Sequence, residues 1–198
     1  MRATHARPGA LCVDSLQFSE AGTLAQAQAL RADGIEAVYV YLGVINVERL
    51  GYILQAGMAA MPVTLAGHFD GAAAVAQLNA LGIPLGTSVC LDLEGLPIYN
   101  QGAAVAIQKV NAWADPVSLA NFDPALYVGV PQPLSAEQLW DLRVRGYWRG
   151  QGAAVEPARC GWWAYQAWPS VTRGGVLVDV DMLTQDYLGR IPTWVIAS

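Results

Sequence analysis

Several carboxylates of this sequence lie in or directly after short apolar runs, where an ionisable group needs a specific role or partner. They are Asp14, Asp92, Glu94, Asp179 and Asp181. Carboxyl groups that are partly buried beside one another take up different pKa values, so one can hold a proton while its neighbour is charged. Such a pair can act as general acid and charged partner, which is what the cleavage of a glycosidic bond requires.

The D-x-E pattern of Asp92 and Glu94 predicts that both side chains lie on one face of a strand. Side chains alternate between faces with period two, so the intervening leucines of SVCLDLE point the other way, toward covering helices. The same alternation separates Asp179 and Asp181 from the valines of VLVDV. A single acidic residue at a strand end often only caps a helix or pairs with arginine, as Asp14 before Ser15 would. Two acids on one apolar strand favour a functional role.

Short β-rich runs alternate along the chain with segments rich in Ala, Leu and Gln, which is typical of βαβ units. The predicted strands are 11–14, 35–42, 61–66, 88–94, 125–130, 147–148, 162–166 and 176–180. The predicted helices are 20–32, 47–56, 71–81, 101–114 and 135–143. This order predicts an α/β fold, a single (β/α)8 TIM-like barrel with shortened or missing helices in the last third. We expect residues 1–9 to be an N-terminal extension and residues 10–198 the barrel.

An open, doubly wound sheet is the alternative architecture. No glycine-rich phosphate loop follows the first strand, where a nucleotide-binding sheet of that kind usually carries one. In a closed barrel the functional groups come from the C-terminal ends of the strands. Closure brings the last strand beside the first, so we expect Asp14 next to Asp179 and across the barrel mouth from the D-x-E pair.

Other side chains are predicted to face the same mouth and to bind substrate. Aromatic rings stack on the apolar faces of sugars, and Tyr41 at a strand end and Trp168 after the seventh strand are placed to do so. Gln166 could hydrogen-bond a substrate hydroxyl or only satisfy the backbone, and Asp181 accompanies Asp179. His68 follows the third strand, although a lone histidine there more often has a structural or capping role.

The composition excludes several classes of protein. The net charge is -5 and the 11 Lys and Arg residues are scattered, so the basic footprint of a nucleic-acid-binding protein is absent. No apolar run approaches the roughly 20 residues of a membrane span, and the early apolar stretch is too short for a signal peptide. We therefore expect a cytoplasmic protein in the producing cell, which acts on the cell wall after release or within a phage particle. Three distant cysteines and two histidines predict neither a disulfide framework nor a zinc site, and we expect no cofactor.

Taken as a set, the motifs resemble a known family. The set comprises CVDS at Asp14, CLDLEG at Asp92 and Glu94, WAYQ at Gln166, and VDVD at Asp179. It is similar to the Chalaropsis-type lysozymes of glycoside hydrolase family twenty-five and more so to the glycoside-hydrolase-like (Rv2525c-like) bacterial and phage domains. The segments LQAGMAAMPV and LGIPLGTSV indicate the second group. The similarity extends from about Leu11 to Leu183.

The resemblance implies a peptidoglycan-directed muramidase or lysin, which cleaves between N-acetylmuramic acid and N-acetylglucosamine. It assigns the general acid to Glu94, with Asp92, Asp14 and Asp179 positioning the substrate, stabilising the developing cation or tuning the acid. The lysozymes usually open with a D-V-S-x-x-Q-like pattern, whereas this chain has Asp14, Ser15, Leu16 and Gln17. The substrate-contacting part of the first strand is therefore altered.

Two other functions are open at this level. The first is a non-catalytic glycan-binding or structural module, such as a phage virion or assembly component that docks on a protein partner through its hydrophobic tail (WVIA at Trp194). A terminal strand of the same domain explains that tail equally well. The second is a hydrolase that uses the acids as ligands of a hard cation such as Mg²⁺ or Ca²⁺.

Overall fold

The computed structural model describes residues 1–94, 101–131, 133–153 and 155–198, except for the side chains of residues 168 and 169. The strands are β1 Arg2–His5, β2 Leu11–Asp14, β3 Ala37–Tyr41, β4 Ala59–Thr64, β5 Ser88–Asp92, β6 Asp123–Val128, β7 Gly146–Arg149, β8 Ala164–Arg173, β9 Val176–Leu183 and β10 Thr193–Ile196. The helices are α1 Leu16–Ala21, α2 Leu24–Ala32, α3 Val47–Gln55, α4 Gly71–Ala80, α5 Ala103–Leu119 and α6 Ala136–Trp140.

Strands β2 to β9 close into an eight-stranded barrel. The neighbours run in the order β4, β3, β2, β9, β8, β7, β6 and β5, and a β4–β5 pairing closes the ring. Within the series β2 to β8, each strand is parallel to the next one in the chain. The five-residue α6 is the last helix in the described residues. The predicted α/β barrel with few helices in its last third is therefore confirmed.

The last barrel strand, β9, differs from the expected parallel arrangement. It is antiparallel to both β8 and β2. Only Gly174 and Gly175 separate β8 from β9, both with positive φ (55° and 74°), as a two-residue hairpin turn requires. A parallel strand would need a crossover of a dozen or more residues. Strand β9 therefore starts at the mouth of the barrel and runs toward its opposite end.

Two further strands, β1 and β10, lie outside the barrel and were not among the predicted strands. They pair with each other, antiparallel, from Arg2 opposite Ile196 to His5 opposite Thr193. Strand β10 also joins β4, where Val195 lies opposite Ala60. The hydrophobic tail is thus a strand of its own domain, and its Trp194 is 8% exposed.

The segment predicted as one helix over 20–32 is two helices. Helix α1 ends at Gly22, whose amide donates to the Phe18 carbonyl oxygen, and a Cβ at Gly22 would lie 2.5 Å from that oxygen. Helix α2 starts directly afterwards with a capping box between Thr23 and Gln26. The chain can therefore turn between the helices and still pack α1 beside β3 and β9.

Buried side chains form two layers that follow the alternation of the strands. One cluster fills the barrel interior, with Tyr39, Met61, Tyr127, Trp148 and Trp163 among its large members. The other lies between the barrel and its helices and contains Leu91, Leu93, Val178 and Val180. The predicted orientation of the residues that flank the acids is confirmed. In the described part of the chain, no helix has the length and apolar character needed to cross a membrane.

Candidate active site

One pocket at the C-terminal end of the parallel strands brings the acids together. Its volume is about 90 Å³. The lining residues are Asp14, Tyr41, Asp92, Glu94, Tyr127, Trp148, Gln166 and Asp179. Four carboxylates from β2, β9 and the end of β5 therefore converge in one hollow, because closure of the barrel places these strand ends around a common mouth.

The expected adjacency of Asp14 and Asp179 is confirmed. The two residues lie directly opposite each other on β2 and β9. The Tyr41 hydroxyl donates to Asp14 Oδ1 over 2.9 Å. Asp179 accepts from Gln166 Nε2 over 2.6 Å and from the Ser170 hydroxyl over 2.9 Å. Each carboxyl thus has its own neutral donors, which hold both in place despite their like charge.

Burial and charge make Asp14 a weak acid. Loss of hydration, followed by the negative charge of Asp179, raises the pKa of Asp14 to about 7, against an ordinary value of 3.8. The hydrogen bond from Tyr41 acts in the opposite direction and is too weak to cancel this effect. Asp14 can therefore exchange a proton near neutral pH.

Asp181 lies deeper in the barrel than Asp179 because β9 runs away from the mouth. It pairs with Cys12, is 0% exposed, and is not part of the pocket lining. The Trp148 indole donates to its Oδ1 over 2.9 Å, whereas its Oδ2 finds no conventional donor. Burial, then the charge of Asp14, raises the pKa of Asp181 well above its ordinary value. A protonated Asp181 satisfies Oδ2, because its hydroxyl then donates to the Asp14 carboxylate.

Asp92 and Glu94 form a local unit at the end of β5. The Glu94 amide donates to Asp92 Oδ1 over 2.8 Å, so Asp92 fixes the backbone from which the Glu94 side chain projects. Burial raises the pKa of Asp92 to about 6. Glu94 is exposed to solvent at the mouth, and partial burial and the charge of Asp179 raise its pKa. Glu94 is thus the acid of this unit that a large substrate can reach.

Tyr127 was not recognised in the sequence as part of the site. Its hydroxyl lies 3.4 Å from Glu94 Oε2 and 3.3 Å from Gln166 Oε1, and it therefore connects Glu94 through Gln166 to Asp179. Its ring centroid is 4.4 Å from that of Trp148. In ALYVGV, Tyr127 lies two residues from Ala125 and from Gly129, so the three residues share one face of the strand. This spacing is the signal that would have placed Tyr127 on the inner face.

Two glycines leave the space that the polar side chains occupy. A Cβ at Gly129 would lie 2.7 Å from Cβ and Cγ of Glu94, and a Cβ at Gly150 would lie 2.6 Å from the Tyr127 hydroxyl. Neither contact is tolerable without movement. Both glycines directly follow barrel strands. Their position at the mouth could therefore be recognised from the sequence only after the strands of the barrel had been assigned.

Of the other predicted substrate-binding residues, the structure brings some to the acid pocket and others not. Tyr41 and Gln166 line the acid pocket. His68 is exposed and lines a separate hollow with Thr64 and Asp70, so the structure does not bring it to the acids. The backbone of Trp168 pairs with Val180, and its side chain lies outside the described part of the structure.

A second hollow of about 220 Å³ adjoins the acid pocket and shares Asp14, Tyr41 and Asp179 with it. Ser15 and Gln17 line this hollow. Both are tied to β9, since the Ser15 hydroxyl donates to the Leu177 carbonyl oxygen over 2.7 Å and Gln17 Oε1 accepts from the Leu177 amide over 2.9 Å. The departure of this chain from the lysozyme-like opening therefore has a structural role, which is to hold the start of β9 against β2.

The arrangement of potential metal ligands gives little support for a metal centre. Among the residues that the structure describes, no group of three or more His, Cys, Asp and Glu side chains has the arrangement to hold a metal ion. The carboxylates are instead bonded to tyrosine, tryptophan, glutamine, serine and backbone donors.

The closed eight-stranded barrel places this chain in the class of α/β barrel proteins. No protein-family model matches the sequence, and no curated protein sequence matches it significantly. Solved structures share the fold at low sequence identity. An uncharacterized B. stearothermophilus protein has a TM-score of 0.66 and 16% identity over 88% of this chain and 96% of its own.

Two further structures have the same fold. The Mycobacterium tuberculosis Tat-secreted protein Rv2525c, in complex with L-tartrate, has a TM-score of 0.64 and 15% identity over 96% of this chain and all of its own. The catalytic domain of endolysin ply40 from bacteriophage P40 of Listeria monocytogenes has a TM-score of 0.52 and 13% identity over 90% of this chain and 95% of its own. At 13–16% identity these structures show the fold of this chain alone, which is an eight-stranded α/β barrel.

Proposed function

We propose that this protein is a glycoside hydrolase that acts on peptidoglycan as a muramidase, with Glu94 as general acid. The observation that carries the proposal is the convergence of Asp14, Asp92, Glu94 and Asp179 in one solvent-reachable pocket. Their surroundings differ, since Asp14 is held at a pKa of about 7 while Glu94 faces solvent. Acid-catalysed glycoside cleavage uses pairs of carboxyl groups whose surroundings give them different pKa values.

Each acid has a role that follows from its contacts. Glu94 carries the proton to the glycosidic oxygen, and its raised pKa keeps a larger protonated fraction at mildly acidic pH. Asp92 orients Glu94 through the backbone. Asp14 and Asp179 face the same pocket, and a charged carboxylate of this pair stabilises the positive charge that develops on the sugar ring. Tyr41 and Gln166 hold these two carboxylates and offer hydrogen bonds to sugar hydroxyls.

The substrate class rests on the shape of the site and on the fold. The acid pocket alone is smaller than usual ligand pockets, but it shares Asp14, Tyr41 and Asp179 with the hollow lined by Ser15 and Gln17. A chain of sugars could lie across both. The endolysin catalytic domain with the same fold is a bacteriophage protein, which makes a cell-wall glycan the substrate to test first.

The test is the clearing of purified bacterial cell walls by the parent protein, Glu94→Gln and Glu20→Gln. Glu20 is an exposed glutamate of α1 and serves as the matched control. We expect the parent and Glu20→Gln to clear the suspension and release reducing ends, and Glu94→Gln to lose at least about a hundredfold in rate. Thermal unfolding should show the three proteins to be equally stable. Equal clearing by Glu94→Gln and the parent would overturn the proposal.

The small volume of the acid pocket, about 90 Å³, also favours a second candidate, a glycan-binding module without catalysis. In that case the parent co-sediments with cell walls and releases no reducing ends. The hydrophobic tail that suggested a protein partner or virion assembly is buried in β10, so it no longer supports docking. Light scattering on the purified protein tests the assembly role directly.

A further inference from the structure

A larger cavity lies at the opposite end of the barrel from the acids. Its volume is about 470 Å³, within the range of small-molecule sites. Asp123 begins β6, Arg145 and Trp163 immediately precede β7 and β8, and Arg190 follows β9, which ends at this side. We call it the lower cavity. Residues of the acid pocket do not line it.

We propose that the lower cavity is a second binding site, for a small anionic molecule that presents a carboxylate or phosphate group. The lining side chains supply mostly hydrogen-bond donors. Arg145 and Arg190 contribute two guanidinium groups, and Asp123 is the single carboxylate among the described residues that line the cavity. A guanidinium has five N–H donors in a planar fork that fits carboxylate and phosphate oxygens.

The two arginines differ in how they are held. Arg190 donates from Nε to Asp186 Oδ2 over 2.7 Å, and that carboxylate is 1% exposed, so this guanidinium is fixed in place. Arg145 is 66% exposed, and its Nε lies 3.4 Å from Asp123 Oδ1. Exposed ion pairs of this kind contribute little free energy. Arg145 can therefore turn to a ligand at little cost while Arg190 provides a preorganised contact.

The wall of the cavity also has an apolar surface. Trp163 lines the cavity with its aromatic side chain and is 2% exposed. Ile191 adds apolar contact on the same lining. The ligand therefore combines anionic oxygens with a compact carbon framework.

The location argues for binding rather than catalysis. Barrel enzymes carry their reactive groups at the C-terminal ends of the strands, whereas this cavity is at the other end. The four clustered carboxylates of the acid pocket repel anions, so an anion that binds this protein has no attractive site there. Anion binding can thus be measured independently of any activity on glycans.

The test is isothermal titration of the full chain with citrate and with inorganic pyrophosphate, which separate a carboxylate preference from a phosphate preference. Erythritol serves as the neutral control. We expect at least one anion to bind the parent, and Arg145→Gln to weaken its binding by about tenfold or more, because one charge-assisted contact is lost. Arg190 is left unchanged because it holds the buried Asp186 carboxylate.

Arg143→Gln is the matched control, since Arg143 is 63% exposed and is likewise paired with an aspartate, Asp115. It should bind as the parent does. Asp123→Asn should bind more tightly, because it removes the competing carboxylate beside Arg145. Glu94→Gln should not change anion binding, so this result stands apart from the proposed hydrolase activity. Failure of both anions to bind the parent, or equal weakening by Arg143→Gln and Arg145→Gln, would overturn the inference.

Discussion

Asp14 and Asp179 lie directly opposite each other across the antiparallel β2–β9 pair at the mouth of the barrel. Like charges at directly opposed positions destabilise a sheet. Here Tyr41 donates to one carboxyl and Gln166 and Ser170 donate to the other. The arrangement keeps a proton on the Asp14 side of the pair up to about neutral pH, and it makes both the stability and the proposed chemistry depend on pH.

The raised pKa of Asp14 predicts that the protein is most stable in mild acid. The pKa is about 7 in the folded state and about 3.8 in the unfolded chain, so the folded state binds more protons between these values. The contribution of Asp14 to the free energy of unfolding is fully present below pH ~4 and is lost as the pH rises through about 7. Asp92, with a pKa of about 6, acts in the same direction.

Asp14→Asn should therefore flatten this decline and stabilise the protein at pH 8 by on the order of 1–3 kcal/mol. Urea unfolding of the parent and the variant across this pH range measures the difference. Asp33→Asn, which changes an exposed aspartate at the end of α2, is the control and should follow the parent curve. A parent curve that rises between pH 4 and 7 would contradict the assignment.

Gly129→Ala should displace Glu94 with little effect on the backbone. The new Cβ would lie 2.7 Å from Glu94 Cβ, and the φ of Gly129 is not in the positive region. If Glu94 is the general acid, a displacement of about 1 Å reduces the rate on cell walls by about a hundredfold. Gly51→Ala is the matched control, because its Cβ meets nothing within 4 Å in α3.

Gly51→Ala should keep full activity and stabilise the fold by about 0.5–1 kcal/mol, since it removes a flexible residue from a helix. Full activity in Gly129→Ala would show that Glu94 either does not move or is not needed. Cell-wall clearing and thermal unfolding, measured on the same preparations, separate these effects.

Asp181→Asn tests whether Asp181 is neutral in the folded protein. An asparagine can accept from the Trp148 indole and donate to Asp14, as a protonated aspartic acid does. We expect the unfolding free energy at pH 7 to be unchanged or increased. Asp181→Ala should instead lose about 2–4 kcal/mol, because it leaves the indole N–H unpaired and opens a space in the core. A large loss of stability in Asp181→Asn would mean that Asp181 is charged.

Tyr127→Phe should shift the pH dependence of the proposed activity. The hydroxyl of Tyr127 lowers the pKa of Glu94, so its removal lets that pKa rise. A general acid must be protonated, and the alkaline limb of the rate profile should therefore move to higher pH. Tyr52→Phe, at a partly buried tyrosine of α3 outside the acid pocket, should leave the profile unchanged. A shift of the limb to lower pH in Tyr127→Phe would exclude this role for its hydroxyl.

Local patterns in the sequence determined which faces of the strands carry the acids and which class of fold the chain adopts. Alternation of apolar and acidic residues placed Asp92 and Glu94 on the inner face and Leu91 and Leu93 under the helices, because strand periodicity is a local property of the backbone. Alternation of strand-like and helix-like segments predicted the barrel, and closure of the barrel predicted the Asp14–Asp179 contact.

Only the tertiary structure decided the direction of β9 and the depth of each acid on it. The two-glycine turn reverses the chain, so Asp179 lies at the mouth and Asp181 is buried beneath Asp14. The contacts of Tyr127 with Glu94 and Gln166 join three strands that are distant in sequence. Such contacts depend on how strands are ordered around the ring, and local periodicity carries no information about that order.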